Sequence, residues 1–448
     1  MNKVKLVATL GPACESKTIL TQLVKNGLSV ARFNFSHADY ANSEKILNLI
    51  KEINKENDSY LATMLDTKGP EIRTHNFDGL VQIEENSEIR IVFEEVLGTK
   101  EKFSVTYDKL YDDVNKGDSI FIDDGYLTLE VIEKDEIKRE LITKAKNSHV
   151  VKSRRGVNVP NVKLQMPYIS AKDKSDIIFS SEKKYDFLAL SFVREAQDIL
   201  DVREILNSQN NKHIKIISKI ENQEGLDNLD EIISLSDGIM VARGDLGIEI
   251  NEELVPFYQT EMIESCLRAG KIVIVATQML ESMQKNPRPT KAEISDVYNS
   301  VLEGATATML SGESAAGLYP VKSVATMFKI QKKAEKSVPH DIISEFFTPT
   351  NKEEMLAFGV SQICARNNID AIVVDDKKYA IALSKFYPKA LVFTKVNDML
   401  EATSLALNYA SFPFLSEQEL ENKLNLLQVQ NDNSLVLLKI ENDNLKFM

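Results

Sequence analysis

Eight short runs rich in Val, Ile, Ala and Thr, most of them followed by an amphipathic segment, constrain this chain more than any other feature. They fall at Lys3–Leu10, Val30–Phe35, Tyr60–Asp66, Phe187–Val193, Ile214–Glu221, Gly238–Arg243, Lys271–Thr277 and Ala305–Leu310. Helical periodicity follows most of them, as at Asp39–Lys55, Glu195–Asn207, Glu252–Ala269 and Lys291–Leu302. A strand that is apolar on both faces must be covered on both faces, and regular alternation with helices gives a parallel sheet that cover. Eight such units predict a (β/α)8 TIM barrel, with a doubly wound open sheet as the competing arrangement.

The rhythm breaks once. From about Pro70 to Pro167 the period falls to two, as in Gly79–Ile83, Ser87–Phe93 and Ser119–Val131, with turn signals at Asn115-Lys116-Gly117-Asp118 and Asp123-Asp124-Gly125. This predicts a small all-β domain inserted in a βα loop, on the face where barrel active sites form. After Val338-Pro339 a third, α/β segment begins, with strands expected near Asp370–Val374, Ala390–Thr394 and Ser434–Ile440. The expected boundaries are 1–69 and 168–336 for the barrel, 70–167 for an inserted β-barrel lid, and 337–448 for a C-terminal α/β domain.

Composition narrows the partners. The formal net charge of −13 argues against nucleic acid or an anionic membrane surface. An acidic protein that handles anionic substrates must build a local basic pocket or recruit cations. The three cysteines, Cys14, Cys266 and Cys364, are far apart and odd in number, which predicts buried thiols in a reducing compartment. Met1–Thr9 runs straight into Gly11-Pro12 and does not read as a signal peptide, and no apolar run reaches the roughly 18–20 residues of a membrane span. A soluble cytoplasmic protein is expected.

The informative residues sit where the predicted strands end. Strand two closes on Arg32 to His37, strand three on Asp66 to Arg73, strand five on Ser218 to Asn222, strand six on Ala242 to Gly247, and strand seven on Ala276 to Met279. Charged groups closing buried strands are costly unless paired, metal-bound or solvated in a cleft, and several at one end of a barrel predict an active site. Glu221 and Asp245 offer one or two carboxylates to Mg²⁺, which completes its shell with water and substrate phosphate. Lys219 and Arg32 supply the positive charge that a phosphoryl group in transfer needs. Gly244-Asp245-Leu246-Gly247 lets backbone approach an anion at a helix start. Asn34, Ser36, Asp66 and Thr67 form an oxygen-rich set with one formal charge, better suited to a monovalent cation. No Walker-type loop or dinucleotide fingerprint occurs.

These blocks, together with Pro287 to Glu293 and Met309 to Glu313, resemble the pyruvate kinase signatures, in order and with family spacing, from Lys3 to about Glu335. The resemblance implies a phosphotransferase acting on phosphoenolpyruvate and ADP, with Mg²⁺ (or Mn²⁺) and K⁺, as a homotetramer. It assigns Lys219 to the phosphoryl group in flight, Arg32 to the substrate phosphate, and Glu221 and Asp245 to the divalent ion. Gly244, Asp245 and the Thr277 hydroxyl take the substrate carboxylate, and Thr277 is also placed to route a proton to the enolate. Asn34, Ser36, Asp66 and Thr67 take K⁺; Asn34, His37, Arg73 and Arg155 fall on the nucleotide side. Arg155 stands where the family's lid usually presents a Lys, and those two side chains are not interchangeable. A Glu at the place of Glu71 accompanies K⁺ dependence in the family. A lyase or mutase barrel that polarises an enolate has no need of the lid or of the blocks at Asn34–His37 and Asp66–Arg73. A non-catalytic nucleotide-binding relative is expected to have lost Lys219, Glu221 or Asp245, and all three are present.

Overall fold

A computed structural model describes residues 1–36, 39–343, 347–430 and 435–447. The eight predicted runs form strands β1 (Lys5–Thr9), β2 (Val30–Asn34), β3 (Ala62–Asp66), β4 (Phe187–Leu190), β5 (Lys215–Ile220), β6 (Gly238–Ala242), β7 (Ile272–Ala276) and β8 (Ala307–Leu310). They close into a parallel barrel in the order β1-β8-β7-β6-β5-β4-β3-β2, which excludes the open doubly wound sheet. Alternate residues explain why both faces had to be apolar. Val7, Met64, Phe187, Ile217, Met240 and Ile274 fill the interior, while Leu6, Leu65, Leu188, Ile216, Ile239 and Val273 join the core under the helices.

Several strands stop short of the predicted C-terminal end. Phe35, Ser191–Val193, Glu221, Arg243 and Thr277 leave the ladder and turn across the rim, freeing their polar groups for one another. The helices are specified locally. Asp39 caps Tyr40–Asn57, and capping boxes at Ser170/Asp173 and Thr290/Glu293 start Ala171–Glu182 and Lys291–Glu303.

Between β3 and β4 the chain builds a separate core around Ile72, Ile89, Phe103, Ile120, Leu129 and Leu141. A seven-stranded sheet runs Ile72–Arg73, Gly156–Asn158, Ser119–Ile122, Leu127–Asp135, Glu140–Ala145, Glu88–Val92 and Lys102–Ser104. Its two ends meet through a lone bridge, Thr74 to Val105, with His75 N donating to Ser104 O at 2.9 Å. Val81–Ile83 pairs separately with His149–Val151.

The C-terminal segment carries a five-stranded sheet in the order Ser411–Phe414, Leu391–Lys395, Ala371–Val374, Leu437–Glu441 and Asn444–Phe447. The first four are parallel and the last is antiparallel. The strand expected from Ser434 begins at Leu437, and Ser434 lies outside the described residues. Ser411–Phe414 escaped prediction because Pro413 interrupts it. At a sheet edge the missing N–H is tolerated. Cys14, Cys266 and Cys364 are buried and unpaired, as expected.

The C-terminal segment also floors the barrel. Leu407, fully buried, packs into the same core as the interior residues Val7, Val30 and Ile272. Around it three lysines at the barrel's lower end donate to backbone carbonyls of the C-terminal segment: Lys5 to Ser411 O at 2.6 Å, Lys215 to Ser404 O at 2.6 Å and Lys3 to Lys389 O at 2.8 Å. Lys5 also lies 3.9 Å from the centre of the Phe412 ring. Burial pulls the Lys5 ammonium down to about 7, partly offset by Glu335, and brings Lys215 to about 8. Leu407→Ala leaves a cavity at this floor and is expected to cost about 2–5 kcal/mol of stability, read as a lower midpoint in urea unfolding.

Candidate active site

Strand pairing brings the predicted residues to one rim. Asn34 stands opposite Asp66 across β2 and β3, and Asp66 opposite Ala189 across β3 and β4. Arg32 donates from Nε to Asp66 Oδ2 at 2.6 Å and from Nη1 to Thr9 Oγ1 at 2.7 Å. On the other side of the same carboxylate, Lys219 Nζ lies 3.3 Å from Asp66 Oδ1 and 2.8 Å from both Ser191 Oγ and Glu221 Oε1. The second Glu221 oxygen accepts from Phe192 N at 2.6 Å. Arg32, Asp66, Lys219 and Glu221 are all buried.

In a site this dry, protonation follows the neighbours. Burial on its own raises the Asp66 carboxyl, but Arg32 and Lys219 outweigh it and hold Asp66 below the usual carboxylate range. Burial opposes the Lys219 charge, yet Asp66 and Glu221 prevail and raise it above the ordinary lysine value. Glu221 moves the other way from Asp66. It has no cation of its own, since Lys219 is shared; burial lifts it to about 7 against the pull of Lys219, and the Asp245 charge adds to the lift.

A second cluster forms where β6 and β7 end. β6 passes directly into the helix Arg243–Glu249, with Asp245 in its first turn. Gly244 N donates to Thr277 Oγ1 at 2.8 Å, and the Thr277 hydroxyl donates to Ala276 O at 2.6 Å. A Cβ on Gly244 would meet that Oγ1 at 3.3 Å, so the approach favours glycine. Thr277 and Gln278 have φ of 64° and 54°, a conformation that strains a β-branched residue by about 1–3 kcal/mol. Arg243 secures this turn, donating to Thr277 O at 2.7 Å and to Asp296 at 2.6 Å.

Of the oxygen-rich set, Asn34 Oδ1 accepts from Ser36 N at 3.1 Å and Thr67 N donates to Ala189 O at 3.0 Å, so these residues flank Asp66 on β2 and after β3. His37, expected on the nucleotide side, lies outside the described residues. Arg73 and Arg155 line a cavity of about 780 Å³ between the inserted segment and the barrel, as do Asp123, Asp124, Asp245 and Glu249. Arg32, Lys219 and Thr277 do not line it, so Asp245 joins the cavity to the charged rim. Both arginines are engaged. Arg73 grips Glu71 with two hydrogen bonds of 2.7 and 2.9 Å, Lys68 lies 3.0 Å from the same carboxylate, and Arg155 stands 3.5 Å from Asp123. Burial and the charges of Asp123 and Asp245 push Asp124 up.

Sequence reasoning missed Thr9, Ser191 and Arg243. Ser191 falls inside the expected strand Phe187–Val193, whereas the strand ends at Leu190; the available signal is a lone hydroxyl ending the apolar run Phe187–Leu190. Arg243 falls within the strand-six end Ala242 to Gly247, and Thr9 within the run Lys3–Leu10, with nothing in the sequence to single either out.

Residues 1–324 match the family described as pyruvate kinase, barrel domain. The chain belongs to the pyruvate kinase family. A pyruvate kinase of Staphylococcus saprophyticus is 44% identical over 423 residues, 93% of this chain and 72% of that relative. One from Clostridium perfringens is 42% identical over 418 residues, covering 91% of this chain and 88% of the relative. The crystal structure of a pyruvate kinase from Cryptosporidium parvum superposes with a TM-score of 0.92 at 33% identity, over 100% of this chain and 96% of that one. The similarity thus extends beyond the barrel, through the inserted and C-terminal segments.

Proposed function

We propose that this chain is a phosphotransferase that moves the phosphoryl group of phosphoenolpyruvate onto ADP, giving pyruvate and ATP in glycolysis. The observation that carries this reading is the buried Lys219 ammonium at the strand ends, held between Asp66 and Glu221 with Arg32 bonded to the far side of Asp66. Arg32 and Lys219 bind the substrate phosphate, and Lys219 neutralises it in transfer. The Gly244–Asp245 backbone and Thr277 take the carboxylate end. Asn34, Arg73 and Arg155 serve the nucleotide, with His37 assigned there by resemblance alone. The homotetramer and the cytoplasmic location rest on the same resemblance. Among the described residues no helix is long and apolar enough to cross a membrane.

A charge count supports a divalent cation. Arg32 and Lys219 face three carboxylates, Asp66, Glu221 and Asp245, so with Glu221 ionised the rim without ions is net negative and ill suited to an anion. Glu221 Oε1 is buried, and although it lies 2.8 Å from Lys219 Nζ it accepts no aligned hydrogen bond. No group of three or more His, Cys, Asp or Glu that could hold a metal occurs among the described residues, so Glu221 and Asp245 leave most of the shell to water and substrate. That donor set fits Mg²⁺ or Mn²⁺. When bound, the ion supplies positive charge against the substrate oxygens. For K⁺, Asp66 already accepts from Arg32 and Lys219, which leaves about two of its roughly four lone-pair sites open beside Asn34, Ser36 and Thr67.

Lys219→Met is expected to lower turnover by about three orders of magnitude or more while changing substrate affinity far less, because Arg32 remains. Near-normal turnover of the folded variant, in an assay of pyruvate formation from phosphoenolpyruvate and ADP, overturns the assignment. Glu221 generates a pH prediction. A metal binds the ionised carboxylate, whose proton is held to about 7, so proton and metal compete. Mg²⁺ affinity is expected to level off above that pH and to fall by about tenfold per unit below it, measured by calorimetry without substrate at pH 8 and pH 6. Finally, activity is expected to rise with K⁺, and Glu71→Lys to reduce that dependence. Equal wild-type activity in K⁺-free buffer contradicts the monovalent site.

A further inference from the structure

Ser191 is the most connected uncharged side chain at the rim. Its Oγ lies 2.8 Å from Lys219 Nζ, 3.1 Å from Asp66 Oδ1 and 2.7 Å from Thr67 O. Its N–H donates to Thr67 Oγ1 at 3.3 Å, and its carbonyl accepts from the Tyr168 hydroxyl at 3.0 Å. A hydroxyl has one proton, and the shortest contact directs it to the Thr67 carbonyl, which turns the lone pairs toward Lys219. Both crossings between barrel and inserted segment also abut this residue. Tyr168 follows the return crossing at Pro167. On the outgoing crossing, Gly69 has φ +71°, and a Cβ there would lie 2.8 Å from Ser191 O and 2.9 Å from Ser191 Cβ.

We infer that Ser191 is the positioning residue for Lys219 and couples that lysine to the hinge of the inserted segment. This rests on the proposed role of Lys219 in phosphoryl transfer. A lysine has four rotatable side-chain bonds, and two carboxylates attract its ammonium along a broad arc without selecting one point. A neutral acceptor fixed on three sides selects that point without competing for charge when an anion arrives. Because Tyr168 and Gly69 both bear on the Ser191 peptide, a rotation of the inserted segment about these crossings shifts the hydroxyl and, with it, the ammonium.

The test compares Ser191→Ala, Ser191→Cys and Ser191→Thr with Tyr168→Phe and the Ser191→Ala/Tyr168→Phe double variant in the full chain. Losing one hydrogen bond to a charged group predicts a fall in kcat of about ten- to a hundredfold for Ala and for the nearly isosteric Cys, with KM for phosphoenolpyruvate within a few-fold of wild type. Thr, which keeps the hydroxyl, is expected to recover most of the loss. Tyr168→Phe alone is expected to lower kcat several-fold and to add nothing in the Ala background, since it acts through the same hydroxyl. Wild-type kcat in both the Ala and Cys variants, or additive losses in the double variant, overturns the inference. Lys219→Met, run alongside, separates the two failures. If that variant is active, the underlying reading fails. If it is inactive while Ser191→Ala and Ser191→Cys are normal, only the positioning role does.

Discussion

Asp66 is the fixed point of the rim. One of its oxygens accepts from Arg32 and the other faces Lys219, so two buried cations from strands on opposite sides of β3 are held by a single carboxylate. Removing one partner of a buried ion pair typically costs about 3–5 kcal/mol, because a charge is left without water or counterion. Here the loss would strand two. The remaining polar groups arrange themselves around that constraint. Thr9 takes the second arm of Arg32, Ser191 accepts from Lys219, and Glu221, 2.8 Å from the same ammonium and left with a shared cation, is the carboxylate most in need of further positive charge.

The rim also shows how a barrel divides labour along each strand. Apart from Lys215, the lower residues of β2, β5 and β6 are apolar or glycine and serve packing. Arg32 stands midway along its strand, and the last one or two positions, with the first beyond the ladder, carry Asp66, Lys219, Glu221 and Arg243. Backbone conformation changes there too. Thr277 and Gln278 enter the left-handed region where β7 ends, held by Arg243 and by the Gly244 N–H. Strain of this kind persists because packed strands below leave the turn no alternative.

The barrel could be read from the chain because its strands are predominantly apolar runs and several helices begin with a side-chain cap, as at Ser16, Asp39, Ser170 and Thr290, so local and global signals agree. The inserted β segment was legible through its change of period. Ser411–Phe414 was not, since edge position rather than composition allows Pro413 there, and no sequence pattern reports an edge. The same distinction holds at the site. Charged residues ending apolar strands stand out, and Arg32, Asp66, Lys219 and Glu221 are those the fold brings together. Small neutral groups such as Ser191 and Thr9 do not stand out, because a lone hydroxyl at a strand end is common and its importance comes from contacts more than a hundred residues away in the chain, as with Ser191 and Asp66. Nor did sequence show that Arg73 and Arg155 would be engaged by Glu71 and Asp123.

The floor beneath the barrel bears on how this chain can be divided. Leu407 closes the lower mouth, and Lys3, Lys5 and Lys215 find their acceptors on carbonyls that belong to the C-terminal segment. A fragment cut after residue 336 would present an open apolar well ringed by ammonium groups deprived of their acceptors. The catalytic barrel is therefore not a module that can be excised or transplanted alone. Its closure in sequence is topological, whereas its floor is encoded after it, so that during synthesis the lower mouth stays unsealed until residues 389–411 have emerged.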